Sequence, residues 1–125
     1  MPKPHFRNRG FSWRPITEQA SFLSDQQARQ FDNDGYVLIE SAFSPAEIAS
    51  IADTIDPFEH AAEEKLRQEK DGRVMIAKAD AITFTAHLVA QDPKLADFAR
   101  HDVFRSLCKD TIGQQARLYW DQAVY

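Results

Sequence analysis

The chain is predicted to fold as an α+β domain, and three observations carry that expectation. Ser24-Asp25-Gln26-Gln27 and Ser44-Pro45-Ala46-Glu47 both read as capped helix starts, with Gly35 as a stop between them. Between the two starts lies a short apolar run, Tyr36-Val37-Leu38-Ile39, rich in residues that favour strands and too short to be a helix. Residues 116–125 alternate, placing Leu118, Trp120, Gln122 and Val124 on one face and Tyr119, Asp121, Ala123 and Tyr125 on the other, which is strand periodicity.

Residues 1–20 hold three of the six prolines and show no steady period. They read as an irregular arm, either docked on the body through Phe11, Trp13 and Ile16 or a disordered leader; residues 21–125 then form the domain. A helix starts at about Asp25, places Ala28 and Phe31 inward and ends near Gly35. The run at 36–39 is expected as a buried strand. In the next helix Ser44 caps, Pro45 suits the first position and Glu47 completes the box. Ile48, Ile51, Ala52 and Ile55 make its core-facing stripe. Asp56-Pro57-Phe58-Glu59 is a second start signal, so this helix is expected to break there and resume at an angle. The charged segment that follows pairs Glu63 with Arg67 at i, i+4 on a solvated face.

Asp71-Gly72 marks a turn, and residues 73–85 have no clear period, compatible with strand, loop or a mixture. Residues 83–90 read as a short helix, with Asp92 capping the next one and Leu95, Phe98 and Ala99 facing inward. Asp102 is the expected cap of a further helix whose inner side is Val103, Phe104, Leu107, Cys108 and Ile112, stopped by Gly113. No internal repeat or low-complexity tract is present.

At 125 residues the chain has the size of one domain, and its formal net charge of −4 comes without a basic stripe. Arg7, Arg9 and Arg14 are too few for a nucleic-acid binder. No apolar run nears the ~20 residues that span a bilayer, so no membrane association is expected. The first residues lack a signal peptide's apolar core, and the single cysteine, Cys108, allows no internal disulfide. A cytoplasmic location is expected.

Three stretches carry a resemblance in their order and spacing: L-S-D-Q-Q-A-R-Q-F-D-N-D-G-Y-V-L-I-E at 23–40, A-F-S-P-A-E-I at 42–48 and A-R-L-Y-W-D-Q-A-V-Y at 116–125. Together they resemble the N-terminal portion of the phytanoyl-CoA dioxygenase family, the non-haem Fe(II)/2-oxoglutarate-dependent oxygenases. The resemblance implies the first strands of a double-stranded β-helix (jelly-roll), here incomplete. It implies an oxidoreductase that, when complete, uses Fe(II) and 2-oxoglutarate to hydroxylate a small or acyl substrate, with its iron-binding segment beyond Tyr125.

Such an enzyme needs two His and one carboxylate on one face of the metal, two of them from a His-x-Asp or His-x-Glu tripeptide. His5, His60, His87 and His101 all lack a carboxylate two residues on. This chain alone is therefore expected to bind neither Fe(II) nor 2-oxoglutarate and to be inactive. His60 and Glu63 sit one helical turn apart without further ligands nearby, and the acidic stretch is read as a solvated face. Cys108, at apolar spacing, reads as a core thiol, and the four scattered glycines form no phosphate loop.

By the resemblance, Gln122 faces cosubstrate or substrate from the strand preceding the iron-binding one; the plain alternative is an edge glutamine bonded to water. His87 borders the mouth of the pocket, or is simply a surface or cap histidine, and Lys78 is a weaker candidate. The competing function is a stand-alone, non-catalytic binding module derived from the same fold. Either way, too few strands are present for two facing sheets. Self-association through an exposed 116–125 strand is expected.

Overall fold

The computed structural model describes residues 5–8, 10, 12–113 and 116–125. The expected contact of Phe11 and the charge at Arg9 lie outside these. Two compact units result, Met1–Leu38 and Ile39–Tyr125.

In the first unit, helix α1 spans Asp25–Asp34. Ser24 caps it through a complete capping box with Gln27, and Gly35 at φ 77° stops it in the left-handed conformation that glycine adopts without strain. Ala28 is fully buried, and Ile16 and Leu23 are buried as well. The arm is held by one carboxylate. Asp32 accepts from the Trp13 indole (3.0 Å), the Ile16 amide (2.9 Å), the Thr17 amide (3.2 Å) and the Thr17 hydroxyl. The Trp13 ring lies 5.8 Å from Phe31.

The run at 36–39 is not a strand. It pairs with no other segment among the described residues, and Tyr36 and Leu38 are exposed. Strand-forming residues supply the side chains of a ladder, but only a neighbouring strand supplies its hydrogen bonds.

In the second unit, helix α2 runs unbroken over Pro45–Gln68, with Pro57 inside it. The expected break at 57 is therefore absent. Contacts hold the helix on both sides of the proline. Upstream, Lys94 Nζ donates to the Ser50 carbonyl at 2.8 Å. Downstream, the Thr83 hydroxyl reaches Glu59 at 3.3 Å and the Asp80 amide reaches Glu63 at 2.8 Å. The same bond corrects the solvated face: Glu63 is buried, holding both Arg67 at 3.1 Å and the Asp80 backbone. Ile48 also departs from expectation and is half exposed, whereas Ile51, Ala52 and Ile55 turn inward.

Residues 73–86, open in the sequence, form β1 (Arg73–Val74), β2 (Ala77–Lys78) and β3 (Phe84–Ala86), with β1 and β2 a minimal antiparallel hairpin. The helix expected over 83–90 is thus reduced to α3, Leu88–Gln91. Helix α4 spans Pro93–Ala99, capped by Asp92 as expected. Helix α5 spans Asp102–Ile112, but its cap is His101, whose Nδ1 accepts from the Val103 amide at 3.2 Å. An imidazole nitrogen can fill the capping role once its lone pair points at the helix start, and Asp102 then falls in the first turn, where its charge suits the dipole. Ile112 is exposed and Phe104 partly so, while Asp110 is buried.

The last strand, β4, covers only Gln122–Val124 and pairs antiparallel with β3, Phe84 opposite Val124 and Ala86 opposite Gln122. Its pairing ends there because β3 is itself three residues long. The protein is α+β, with short antiparallel strands and no closed barrel among the described residues. No helix of the described residues is long and apolar enough to cross a membrane.

Candidate functional site

The second unit encloses a cleft of about 780 Å³. Ile51 and Ile55 of α2, Leu88 and Leu95 of α3 and α4, and Phe104 and Cys108 of α5 form its apolar walls. Residues 116–118 and 121–123 close one side and bring the polar groups of Arg117, Asp121 and Gln122. A concave, mostly apolar space with a few placed polar groups is the form small-molecule sites take.

The pairing of β3 with β4 sets the polar side. Thr83 and Tyr125 exchange backbone hydrogen bonds at 3.0 and 3.3 Å, and the His87 amide donates to the Asp121 carbonyl at 3.1 Å. That register brings the Asp121 carboxylate to the start of α3, where Oδ2 accepts from the Val89 amide at 3.0 Å. A helix of four residues leaves most of its amides without internal partners, so this carboxylate fixes the cleft wall carried by Leu88 and Val89.

The two residues singled out in the sequence meet through a third. The Trp120 indole donates to Gln122 Oε1 at 3.2 Å, and the ring meets the His87 imidazole edge-on at 4.5 Å between centroids. Gln122 lies on the cleft lining; His87 does not, and is exposed. His87 holds a left-handed backbone, φ 59°, uncommon for a residue with a Cβ, and it ends β3 just before α3. The sequence order Trp120-x-Gln122 was the available signal for this cluster, since alternate residues of a strand share a face.

His101 is a cleft residue that sequence reasoning noted only as a histidine without a carboxylate two residues on. Its Nε2 lies 3.6 Å from Glu47 Oε1, and its ring packs edge-on against Phe43 at 5.2 Å. Glu47 in turn accepts from the Ser44 hydroxyl (2.6 Å) and amide (2.8 Å). These bonds, the hydroxyl first, with the nearby imidazole adding to them, hold the Glu47 carboxyl below its usual range. One side-chain contact thus joins the caps of α2 and α5. Nothing local in the sequence announces it, because Glu47 and His101 are far apart along the chain.

The described residues do not suit an iron centre. No three His, Cys, Asp or Glu side chains among them come close enough to share a metal ion. His60 and Glu63 acquire no third ligand among the described residues; Glu63 is committed to Arg67 and Asp80. Lys78 sits on the exposed hairpin, away from the cleft lining.

The family model described as phytanoyl-CoA dioxygenase (PhyH) matches residues 31–125. No curated protein and no solved structure matches the chain.

Proposed function

Because the chain belongs to the phytanoyl-CoA dioxygenase family through residues 31–125, we propose that it forms the N-terminal part of a cytoplasmic Fe(II)/2-oxoglutarate-dependent oxygenase. Its strands would be the first of a jelly-roll, and its substrate a small or acyl molecule. Members of this family are generally dependent on those two cofactors. The bound metal and 2-oxoglutarate together supply the oxidising chemistry.

The observation that carries the reading is the cleft: apolar on three sides, with Gln122 on the fourth, held by the Trp120 indole. This chain's residues contribute a wall and positioned polar groups there. They do not contribute the metal ligands, and no step of the reaction is assigned to them. Gln122 offers an amide whose oxygen is already engaged by Trp120, leaving its nitrogen to meet an acceptor on cosubstrate or substrate. His87 acts one layer out, steadying the Trp120 ring.

The test is to read the coding sequence past the Tyr125 codon. A continuing frame that reaches His-x-Asp or His-x-Glu within roughly a few tens of residues is expected, since connections between neighbouring strands are short. A stop codon, or a frame without that tripeptide, would overturn the reading in favour of a non-catalytic binding module.

A further inference from the structure

Taking the cleft as the substrate site of the proposed oxygenase, we propose that it selects amphipathic carboxylates, an apolar body carrying one anionic headgroup, and that Arg117 is the residue that selects them. Among the described residues, the guanidinium groups of Arg100, Arg105 and Arg117 border the cleft together with one carboxylate, that of Asp121. The first two guanidiniums are already engaged. Arg100 lies 3.5 Å from Asp97, while Arg105 lies 3.0 Å from Asp102 and donates to the Arg100 carbonyl at 3.2 Å. Arg117 makes no ion pair or side-chain hydrogen bond with any described residue, Asp121 included. Asp121 is half-buried and has Oδ2 on the Val89 amide. Arg117 is therefore the cationic group of the lining left open to a ligand.

The hydrogen-bonding groups of the same side point to the headgroup. A guanidinium only donates, and the Gln122 oxygen is taken by the Trp120 indole at 3.2 Å, which leaves Gln122 its amide nitrogen. Donors thus predominate there, and a carboxylate, which only accepts, is their complement. The planar fork of an arginine meets both of its oxygens at once. The walls supply the rest of the selection. Ile51, Ile55, Leu95 and Phe104 are apolar, so each methylene that they withdraw from water adds to affinity. A neutral chain can use these walls but not Arg117. A small dicarboxylate, charged at both ends, can use Arg117 but not the walls.

Calorimetry on the whole chain at neutral pH tests this, with octanoate, octan-1-ol, octylammonium and 2-oxoglutarate as the probes. Octanoate should bind about tenfold more tightly than octanol, the scale of one hydrogen-bonded contact to a charged group. Arg117 is exposed, so the preference should shrink as salt is added. Arg117→Gln should bring octanoate to the octanol level while octanol binding, which reports the walls, stays as it was. Arg117→Lys keeps the charge without the fork and should retain part of the preference. Several results would overturn the proposal: no binding of octanoate, octanol binding as tightly, octylammonium or 2-oxoglutarate binding more tightly, or an octanoate affinity that Arg117→Gln does not move. The frame past the Tyr125 codon decides the oxygenase reading separately. An iron tripeptide there without anion preference in the cleft removes only the selection by Arg117. A stop codon with the preference intact removes only the oxygenase.

Discussion

Single side chains in this protein are used to tie distant segments, and Asp32 does so with the most bonds. Desolvation raises its carboxyl, but hydrogen bonds from the Thr17 hydroxyl, the Ile16 amide, the Trp13 indole and the Thr17 amide outweigh that and hold it below the usual carboxylate range. A carboxyl lowered in the folded state adds stability that is complete above its unfolded value, about 3.9. That stability is lost as pH falls through the lowered folded value. The arm should therefore stay docked down to about pH 4 and release below it. The Trp13 indole N–H resonance reports this directly; in Asp32→Asn it should lose its bonded position at neutral pH as well. Gln122 is the corresponding residue of the cleft. In a longer protein that carries the iron ligands, Gln122→Ala should lower the ratio of hydroxylation to 2-oxoglutarate decarboxylation while leaving Fe(II) affinity nearly intact. Misplacing a reactant by about an ångström can cost ~100-fold in rate. An unchanged ratio would reduce Gln122 to a structural partner of Trp120.

At the scale of elements, α2 is the anomaly. Pro57 cannot donate to the carbonyl four residues back and crowds it, yet the helix continues. Alanine is preferred over proline inside a helix by about 3 kcal/mol, offset by about 0.4–1 kcal/mol for the looser unfolded chain. Pro57→Ala should therefore stabilise the protein by about 2 kcal/mol on these figures, read as a higher denaturant midpoint at unchanged slope. What the sequence disclosed about the elements follows from range. The boxes at Ser24–Gln27 and Ser44–Glu47 and the stops at Gly35 and Gly113 are contacts within one turn, and all four are where the pattern puts them. The strand at 36–39 needed a partner that no window of sequence displays. The continuity of α2 depends on Lys94, Thr83 and Asp80, which lie far downstream. The cleft was legible to the same degree. Gln122 and Trp120 were visible as alternate residues of an expected strand, of which only Gln122 falls in β4, whereas Asp121 on Val89 and His101 on Glu47 join residues distant in sequence.

For the molecule as a whole, the core is thin. In the first unit the buried apolar residues are Ile16, Leu23 and Ala28; in the second they are Leu66, Leu88 and Leu95. No large side chain among the described residues is fully enclosed. Burying a leucine contributes about 1.5–3 kcal/mol, so so few of them leave little margin over conformational entropy. A broad, low-temperature unfolding transition is expected. A sharp transition at high temperature would show that the buried set is more effective than its size suggests. The unpartnered Thr85 hydroxyl contributes to the shortfall. It is buried without a hydrogen bond among the described residues, and Thr85→Val should leave stability unchanged or raise it by about 1 kcal/mol.

The pairing of β3 with β4 also fixes an order of events in time. The two strands are about 40 residues apart, with α3, α4 and α5 strung between them, and closing a loop of that length costs roughly 3 kcal/mol of chain entropy. The helices form from neighbours in sequence, and the three-residue ladder offers little to offset that closure until they have packed. The ladder should thus be absent from the rate-limiting transition state for folding. Ala123→Gly, which weakens β4, should speed unfolding while the folding rate stays as it was. In a nascent chain, the polar side of the cleft is then the last part to assemble.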